Sequence, residues 1–277
     1  MPADASLTGS PPRRAAVLGS PISHSRSPQL HLAAYRALGL TDWTYERIEC
    51  TAAQLPVLVG GFGPEWVGVS VTMPGKFAAL RFADEHTERA ALVGSANTLV
   101  RTETGWRADN TDVDGVVGAL EPVLTAPGGR AILLGSGGTA PAVVVALARL
   151  GMAEAVVAAR NAERADELLR LADRVGVAAR HCPLTDEALA AETEGAAVAV
   201  STLPAEVAAE RAGALAAVPV LLDALYDPWP TPLAAAVEAA GGTVVSGLQM
   251  LLHQAYAQVE QFTGRPAPRA QMAAALG

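Results

Sequence analysis

The sequence predicts an α/β protein with mainly parallel sheets, and three observations predict it. Short β-like runs alternate with helical stretches along the chain, which is the pattern of βαβ units. Near 131–150 an apolar strand runs into a glycine-rich turn and then into an apolar helix. Of the 277 residues, 51% are hydrophobic and 17% charged. That is enough apolar material for one large domain or two of moderate size, and it rules out wholesale disorder.

Taken in order, Ala15 to Leu18 reads as the first strand. Ser27-Pro28 starts a helix, with Ser27 as N-cap and Pro28 at the first helical position. Trp43 to Glu49 and Val67 to Val71 read as strands, and a helix follows from about Pro74. Asn97 to Arg101, with Gly105 and Trp106, reads as a small hairpin near Asp109. Asp84, Glu85, His86 and Glu88 read as a solvated helix face. The segment Glu121 to Gly129, with Pro122, Pro127, Gly128 and Gly129, reads as a connection between two domains. Beyond it come strand Ala131 to Leu134, helix Gly138 to Leu150, strand Ala155 to Ala159 and helix Ala162 to Val175. Further strands are expected at Ala196 to Ser201 and Val220 to Ala224. Gly247 to Phe262 reads as a helix with Leu248, Leu251, Leu252, Ala255 and Val259 on one face.

The net charge of −8 makes nucleic acid a poor partner, because an acidic surface repels phosphate backbones. Met1 to Pro12 has no basic region followed by an apolar run and reads as a polar tail, not a secretory signal. Cys50 and Cys182 could pair, but no signal for an oxidising compartment accompanies them. The uncharged run Ala131 to Ala148 approaches the length of a membrane span. Its Gly135, Gly137, Gly138 and Pro141 instead indicate a strand, a turn and a buried helix. The expectation is a soluble, cytoplasmic protein. The histidines are scattered without ligand spacing, so no metal is expected.

The most specific local signal is Gly135-Ser136-Gly137-Gly138-Thr139-Ala140, which fits the G-x-G-x-x-G/A dinucleotide fingerprint in its strand–turn–helix context. The first glycine permits the tight turn, and the second lets backbone approach a pyrophosphate. The small last residue lets helix and strand pack, and the amides of the helix start face the anion. A plain strand-to-helix turn is the alternative. NAD-binding loops usually carry an acidic residue at the end of the second strand. Here Arg160 and Asn161 stand there, with Arg164 one helical turn on. Guanidinium groups suit a 2′-phosphate, so NADP is the expected cofactor.

Four further polar segments interrupt the apolar pattern: Gly19 to Pro28 with Ser25-Arg26-Ser27, Ser70 to Lys76, Gly94 to Thr98, and Asp109 to Asp112. Each alone is compatible with caps and turns. In this order, ahead of a dinucleotide loop, they resemble the shikimate dehydrogenase family. Later matching segments are Tyr226, Thr231-Pro232-Leu233 and Gly247 to Gln254. Ser20 departs from the Asn common in the family's opening motif, and Met73-Pro74-Gly75 from a common Val-Pro-Phe version. Neither change removes a needed chemical group.

The resemblance implies NADP-dependent reversible reduction of 3-dehydroshikimate to shikimate, a step of aromatic amino-acid biosynthesis. It implies Lys76 and Asp109 as the catalytic pair. Ser25 and Ser27 would hold the substrate carboxylate, with Tyr226 close by, and Thr72, Asn97, Asp109 and Gln254 the ring hydroxyls. Gly247 and Met250 would lie near the nicotinamide. It also implies a substrate domain at 1–113, a Rossmann-type NADP-binding domain at 114–245, and a C-terminal helical segment at 246–277 packing back on the first domain, with the active site in a cleft. The expected partners are the small-molecule substrates, with no nucleic acid or membrane, and the chain a monomer or homodimer. A quinate or amino-shikimate dehydrogenase on the same fold, or an NADP-binding regulatory module with dead chemistry, is the alternative.

Overall fold

The computed structural model describes residues 12–124 and 128–277. Nearly all of the expected polar tail therefore lies outside the described residues. Twelve strands are present among them. They are β1 (Arg13–Gly19), β2 (Trp43–Glu49), β3 (Trp66–Val71), β4 (Glu85–His86), β5 (Thr98–Arg101) and β6 (Trp106–Asp109), then β7 (Arg130–Leu134), β8 (Glu154–Ala158), β9 (Ala178–Cys182), β10 (Ala196–Ser201), β11 (Val220–Asp223) and β12 (Thr243–Ser246). They form two six-stranded sheets.

The chain divides into two compact units. The first takes in the described residues up to Thr87, then Ala96–Asp109 and Ala255–Gly277. The second takes in Glu88–Ser95 and Asn110–Gln254. The described residues of the expected connection, Glu121–Leu124 and Gly128–Gly129, therefore belong to the second unit, where the preceding Asp112–Leu120 helix packs on the Ala140–Arg149 helix. The chain crosses between units at Thr87/Glu88, Ser95/Ala96 and Asp109/Asn110, and within the Gly247–Thr263 helix.

The sheet of the first unit has the order β2-β1-β3-β5-β6-β4. β1 pairs in parallel with β2 and β3, while the β5–β6 hairpin adds antiparallel pairing to β3. Its apolar residues, Ala15, Ala16, Leu18, Val69 and Leu99 among them, are almost wholly buried. Gly68 on β3 is required by packing: a Cβ there would lie 2.2 Å from Phe262 Cε1. Two expectations are corrected in this unit. Glu85–His86 is strand β4, not a helix face, and the Asp84 carboxylate accepts the Trp106 amide at 2.8 Å. Ser27 is not an N-cap either. It is the first residue of the Ser27–Ala37 helix, whose cap is Arg26, with no side-chain capping bond.

The sheet of the second unit has the order β12-β11-β10-β7-β8-β9 and is parallel throughout. Numbered from β7, this is the doubly wound dinucleotide-binding order, with its switch point between β7 and β10. Side chains alternate between two buried layers: Ala131 and Leu133 face one, Ile132 and Leu134 the other. The Ala140–Arg149 helix is buried along most of its length, which explains its span-like composition. The Ala162–Arg174 helix instead buries only Ala165, Leu168, Leu171 and Ala172, one stripe at helical spacing. Among the described residues, no helix is long and apolar enough to cross a membrane. Both cysteines are free and buried.

Candidate active site

In the first unit, topology gathers the expected substrate residues at one sheet edge. β1 and β3 run in parallel, with Leu18 paired to Val71, so the loops after them leave side by side. The Thr72 amide donates to Leu18 O at 2.8 Å, and the Ser20 amide to Met73 O at 3.0 Å. Gly19 allows this approach, since a Cβ there would sit 2.4 Å from Thr72 Cγ2. These loops carry Ser25, Ser27, Thr72 and Lys76. The hairpin then turns two more residues to the same edge. Thr98 pairs with Ser70 on one side and with Asp109 on the other, and the Val71 amide donates to Asn97 O at 2.7 Å.

Ser27 is buried, and the Ser25 hydroxyl donates to its Oγ at 3.3 Å. Arg47 fixes this turn by donating from Nε to Ser25 O at 2.7 Å. The phenol of Tyr45 lies near Ser27 and donates to Ser70 Oγ. Burial pushes that phenol well above its ordinary range, while the contacts with Ser70 and Ser27 pull the other way. Lys76 begins the Lys76–Phe82 helix at 9% exposure, and its carbonyl accepts the Ala96 amide at 3.0 Å. Asp109 is 4% exposed; its Oδ1 accepts from Thr87 Oγ1 at 2.7 Å and its Oδ2 from Gln261 Nε2 at 2.9 Å.

A buried polar chain runs beneath this edge, and its polarity is fixed. Gln258 Nε2 faces Asn97 O at 3.2 Å, and a carbonyl oxygen can only accept. Gln258 Nε2 therefore also donates to Thr98 Oγ1 at 2.9 Å, and the Thr98 hydroxyl donates to Asn97 Oδ1 at 2.8 Å. At its other end Gln258 Oε1 accepts from Ser70 Oγ at 2.7 Å, and Ser70 accepts from Tyr45 at 2.6 Å. With Oδ1 committed to Thr98, the Asn97 side chain turns its amide N–H groups the other way.

In the second unit the expected cofactor residues stand at the carboxyl ends of the parallel strands. Gly135 follows β7 with φ +101°, and a Cβ there would lie 2.7 Å from Thr202 Oγ1, so only glycine fits. At Gly137 nothing lies within 4 Å of where a Cβ would stand. Ser136, Gly137, Gly138 and Thr139 are not buried, and the Ala140–Arg149 helix starts immediately after them with no side-chain cap. Backbone amides at a helix start suit a phosphate. Ser95 and Asn110 brace this loop. The Ser95 hydroxyl donates to Gly138 O at 3.3 Å, and Asn110 Nδ2 donates to Ser95 O at 2.9 Å.

Arg160 lies just past β8 and is exposed, as is Arg164; neither pairs with a carboxylate among the described residues. Asn161 caps the following helix, its Oδ1 accepting the Arg164 amide at 2.9 Å. These features fit a dinucleotide bearing a 2′-phosphate. Tyr226 is half-buried beyond β11 in a segment held by Asp223, whose Oδ1 accepts the Leu225 amide at 3.1 Å. Gly247 is pressed onto that segment: its amide donates to Leu225 O at 3.1 Å, and a Cβ would meet Ala224 O at 2.2 Å. Met250 is buried where Gly115 leaves room for its backbone. Gln254 Oε1 accepts from Thr111 Oγ1 at 3.3 Å, and its Nε2 donates to Leu251 O.

Thus Ser25, Ser27, Thr72, Lys76, Asn97 and Asp109 share one edge of the first unit, while Tyr226 and Gln254 belong to the second with the cofactor residues. The sequence reading gave no role to Ser95 and Asn110, although both lie in its polar segments, and missed Thr87, Thr202, Gln258 and Gln261. The two glutamines did leave a signal: Gln254, Gln258 and Gln261 recur at i, i+4 and i+7 of one helix.

Comparison with known proteins identifies relatives of the chain. The family model described as the shikimate dehydrogenase substrate binding domain matches residues 17–99, and that of the shikimate 5'-dehydrogenase C-terminal domain matches 247–276. A shikimate dehydrogenase (NADP(+)) of Methylobacterium radiotolerans is 39% identical over 268 residues, covering 92% of this chain and 93% of that protein. The crystal structure of Mycobacterium tuberculosis shikimate dehydrogenase is 71% identical with a TM-score of 0.91, covering 96% of this chain and 99% of that one. The shikimate 5-dehydrogenase of Thermus thermophilus, solved in complex with NADP(H) and shikimate, is 30% identical with a TM-score of 0.78, covering 95% of this chain and 98% of that one. With such identity along almost its whole length, the chain belongs to the shikimate dehydrogenase family.

Proposed function

We propose that this protein catalyses the reversible NADP-dependent reduction of 3-dehydroshikimate to shikimate, in aromatic amino-acid biosynthesis. The observation that carries the reading is the sheet edge of the first unit. There two loops and a hairpin bring a buried lysine and a buried aspartate to the same edge as two hydroxyls suited to a carboxylate. NADPH, when bound, supplies the hydride; Gly135 to Ala140 would hold its pyrophosphate, Arg160 and Arg164 its 2′-phosphate, and Gly247 and Met250 would border its nicotinamide. Ser25 and Ser27 bind the carboxylate, with Tyr226 near it. Thr72, Asn97 and Gln254 hold ring hydroxyls and fix the ring's orientation. The Lys76 ammonium faces the carbonyl oxygen as negative charge develops on it, and delivers a proton from Nζ. Asp109 orients Lys76 and accepts from the neighbouring hydroxyl. The protein acts in the cytoplasm, as a monomer or homodimer.

The test is an absorbance assay for NADPH with purified protein, in which shikimate and quinate are each crossed with NADP and NAD. Turnover with shikimate and NADP well above the other three pairs is expected. No turnover with any pair would favour the regulatory-module alternative and end this reading.

A further inference from the structure

The Asp109 carboxylate is anchored by two groups outside the polar segments that the sequence marks. A carboxylate offers about four acceptor positions, two on each oxygen. One on Oδ1 is taken by the Thr87 hydroxyl at 2.7 Å, and one on Oδ2 by Gln261 Nε2 at 2.9 Å. The anchors also come from independent pieces of chain. Thr87 follows β4, whereas Gln261 lies near the end of the Gly247–Thr263 helix. The carboxylate is thus held from two directions, with its plane set before anything binds. Gln261 has a single usable orientation, because a carboxylate can only accept and the amide must present its N–H.

We propose that Gln261 and Thr87 are positioning residues that act through Asp109, fixing the plane of its carboxylate relative to the reacting groups. This rests on the reading of Asp109 as one of the catalytic pair. Gln261 touches neither substrate nor cofactor in this scheme. Its loss is felt as misplacement of a group that matters most in the transition state.

The test is a double-mutant cycle in the full-length protein, read as kcat and KM for shikimate with saturating NADP. Gln261→Leu should lower kcat by about tenfold, the lower end for one bond to a charged group, and change KM for shikimate by less than about threefold. Gln261→Met, closer in shape to glutamine, is the second variant and should behave alike even where the leucine variant folds poorly. Thr87→Val should show a similar loss of kcat, and Thr87→Ser, which keeps the hydroxyl, should recover most of it. In an Asp109→Ala background, Gln261→Met should cost less than about twofold, because the group it positions is gone. The same fold-loss in both backgrounds, with no recovery by serine, would show a purely structural role and overturn the proposal. So would near-native kcat in Gln261→Met and Thr87→Val. An unaltered protein that does not turn over shikimate would instead sink the functional reading.

Discussion

Acidification is expected to destabilise the first unit through one histidine far from any proposed proton transfer. His31 is fully buried, stacked on Tyr45 at 4.0 Å with Phe262 at 5.7 Å. Its Nε2 donates to Gln258 Oε1 at 3.3 Å, while Nδ1 is buried with no hydrogen-bond partner. Protonation would place an unpartnered N–H and a full charge in that core. Burial accordingly lowers its pKa from 6.5 to about 3, with the Gln258 contact opposing. The folded state thus binds fewer protons than the unfolded chain. The resulting stability is complete above pH 6.5 and is lost as the pH falls toward about 3. Between about pH 7 and about pH 5, protonation of the unfolded histidine alone removes about 2 kcal/mol. Urea unfolding followed by tryptophan fluorescence can measure this, because Trp43, Trp66 and Trp106 all lie in the unit that holds His31. The comparison is with His31→Phe, which keeps a stacking ring and leaves Ser70 to serve Gln258 Oε1. The unaltered protein should lose about 2 kcal/mol more than the variant over that pH range. Equal losses in the two proteins would refute the buried-neutral assignment.

Four further outcomes are expected. Lys76→Ala should lower kcat by at least ~100-fold with little change in KM, and near-native kcat would remove the lysine from the chemistry. Arg160→Ala should weaken NADP use by about 1.5–3 kcal/mol while leaving NAD kinetics nearly unchanged; equal losses with both cofactors would reject the 2′-phosphate contact. Gly247→Ala should destabilise the protein by about 1–3 kcal/mol, because its methyl group would meet backbone rather than a movable side chain. An unshifted melting curve would show that the Ala224–Leu225 segment yields freely. Quinate carries an extra hydroxyl at the carboxylate-bearing carbon, and with Ser25 and Ser27 engaged by the carboxylate that hydroxyl has no dedicated partner. Its kcat/KM should fall at least ~10-fold below that of shikimate, as a buried hydroxyl without a partner costs about 1–3 kcal/mol.

The long alternating elements were legible because periodicity reports burial directly. Trp43–Glu49 and Ala196–Ser201 coincide with their expected limits, and the glycine loop follows its strand as anticipated. Elements that carry little apolar pattern were not legible. β9 and β12 are edge strands with one fully buried residue each, Cys182 and Val245, so neither offers an apolar run to detect. The two-residue strand β4 was misread because its charges resemble a solvated face; it exists only through pairing with β6. Site residues separated along the same line. Lys76, Asn97 and Asp109 lie in segments where polar groups break an apolar run. Gln258 and Gln261 lie within a helix whose apolar face dominated the reading, and hydrogen bonds to distant residues are invisible to local pattern.

Those two glutamines explain how the reactive edge tolerates so little freedom. Ser70, Thr98 and Asp109 form one row across β3, β5 and β6. Gln258 bonds to Thr98 in that row and Gln261 to Asp109, one helical turn apart. A single helix therefore reads two neighbouring strands of the hairpin. A one-residue slip of β6 against β5 would send the Asp109 side chain to the opposite face of the sheet. It would break the Gln261 bond while leaving the Gln258 bond in place. The pairs Leu99–Ala108 and Val100–Arg107, of which only the first is apolar on both sides, place only modest constraints on the register of so short a ladder. The pair of glutamine contacts thus specifies the hairpin register with polar groups, where apolar alternation over four residues is a weak guide, and places Asp109 at the edge where Lys76 begins its helix.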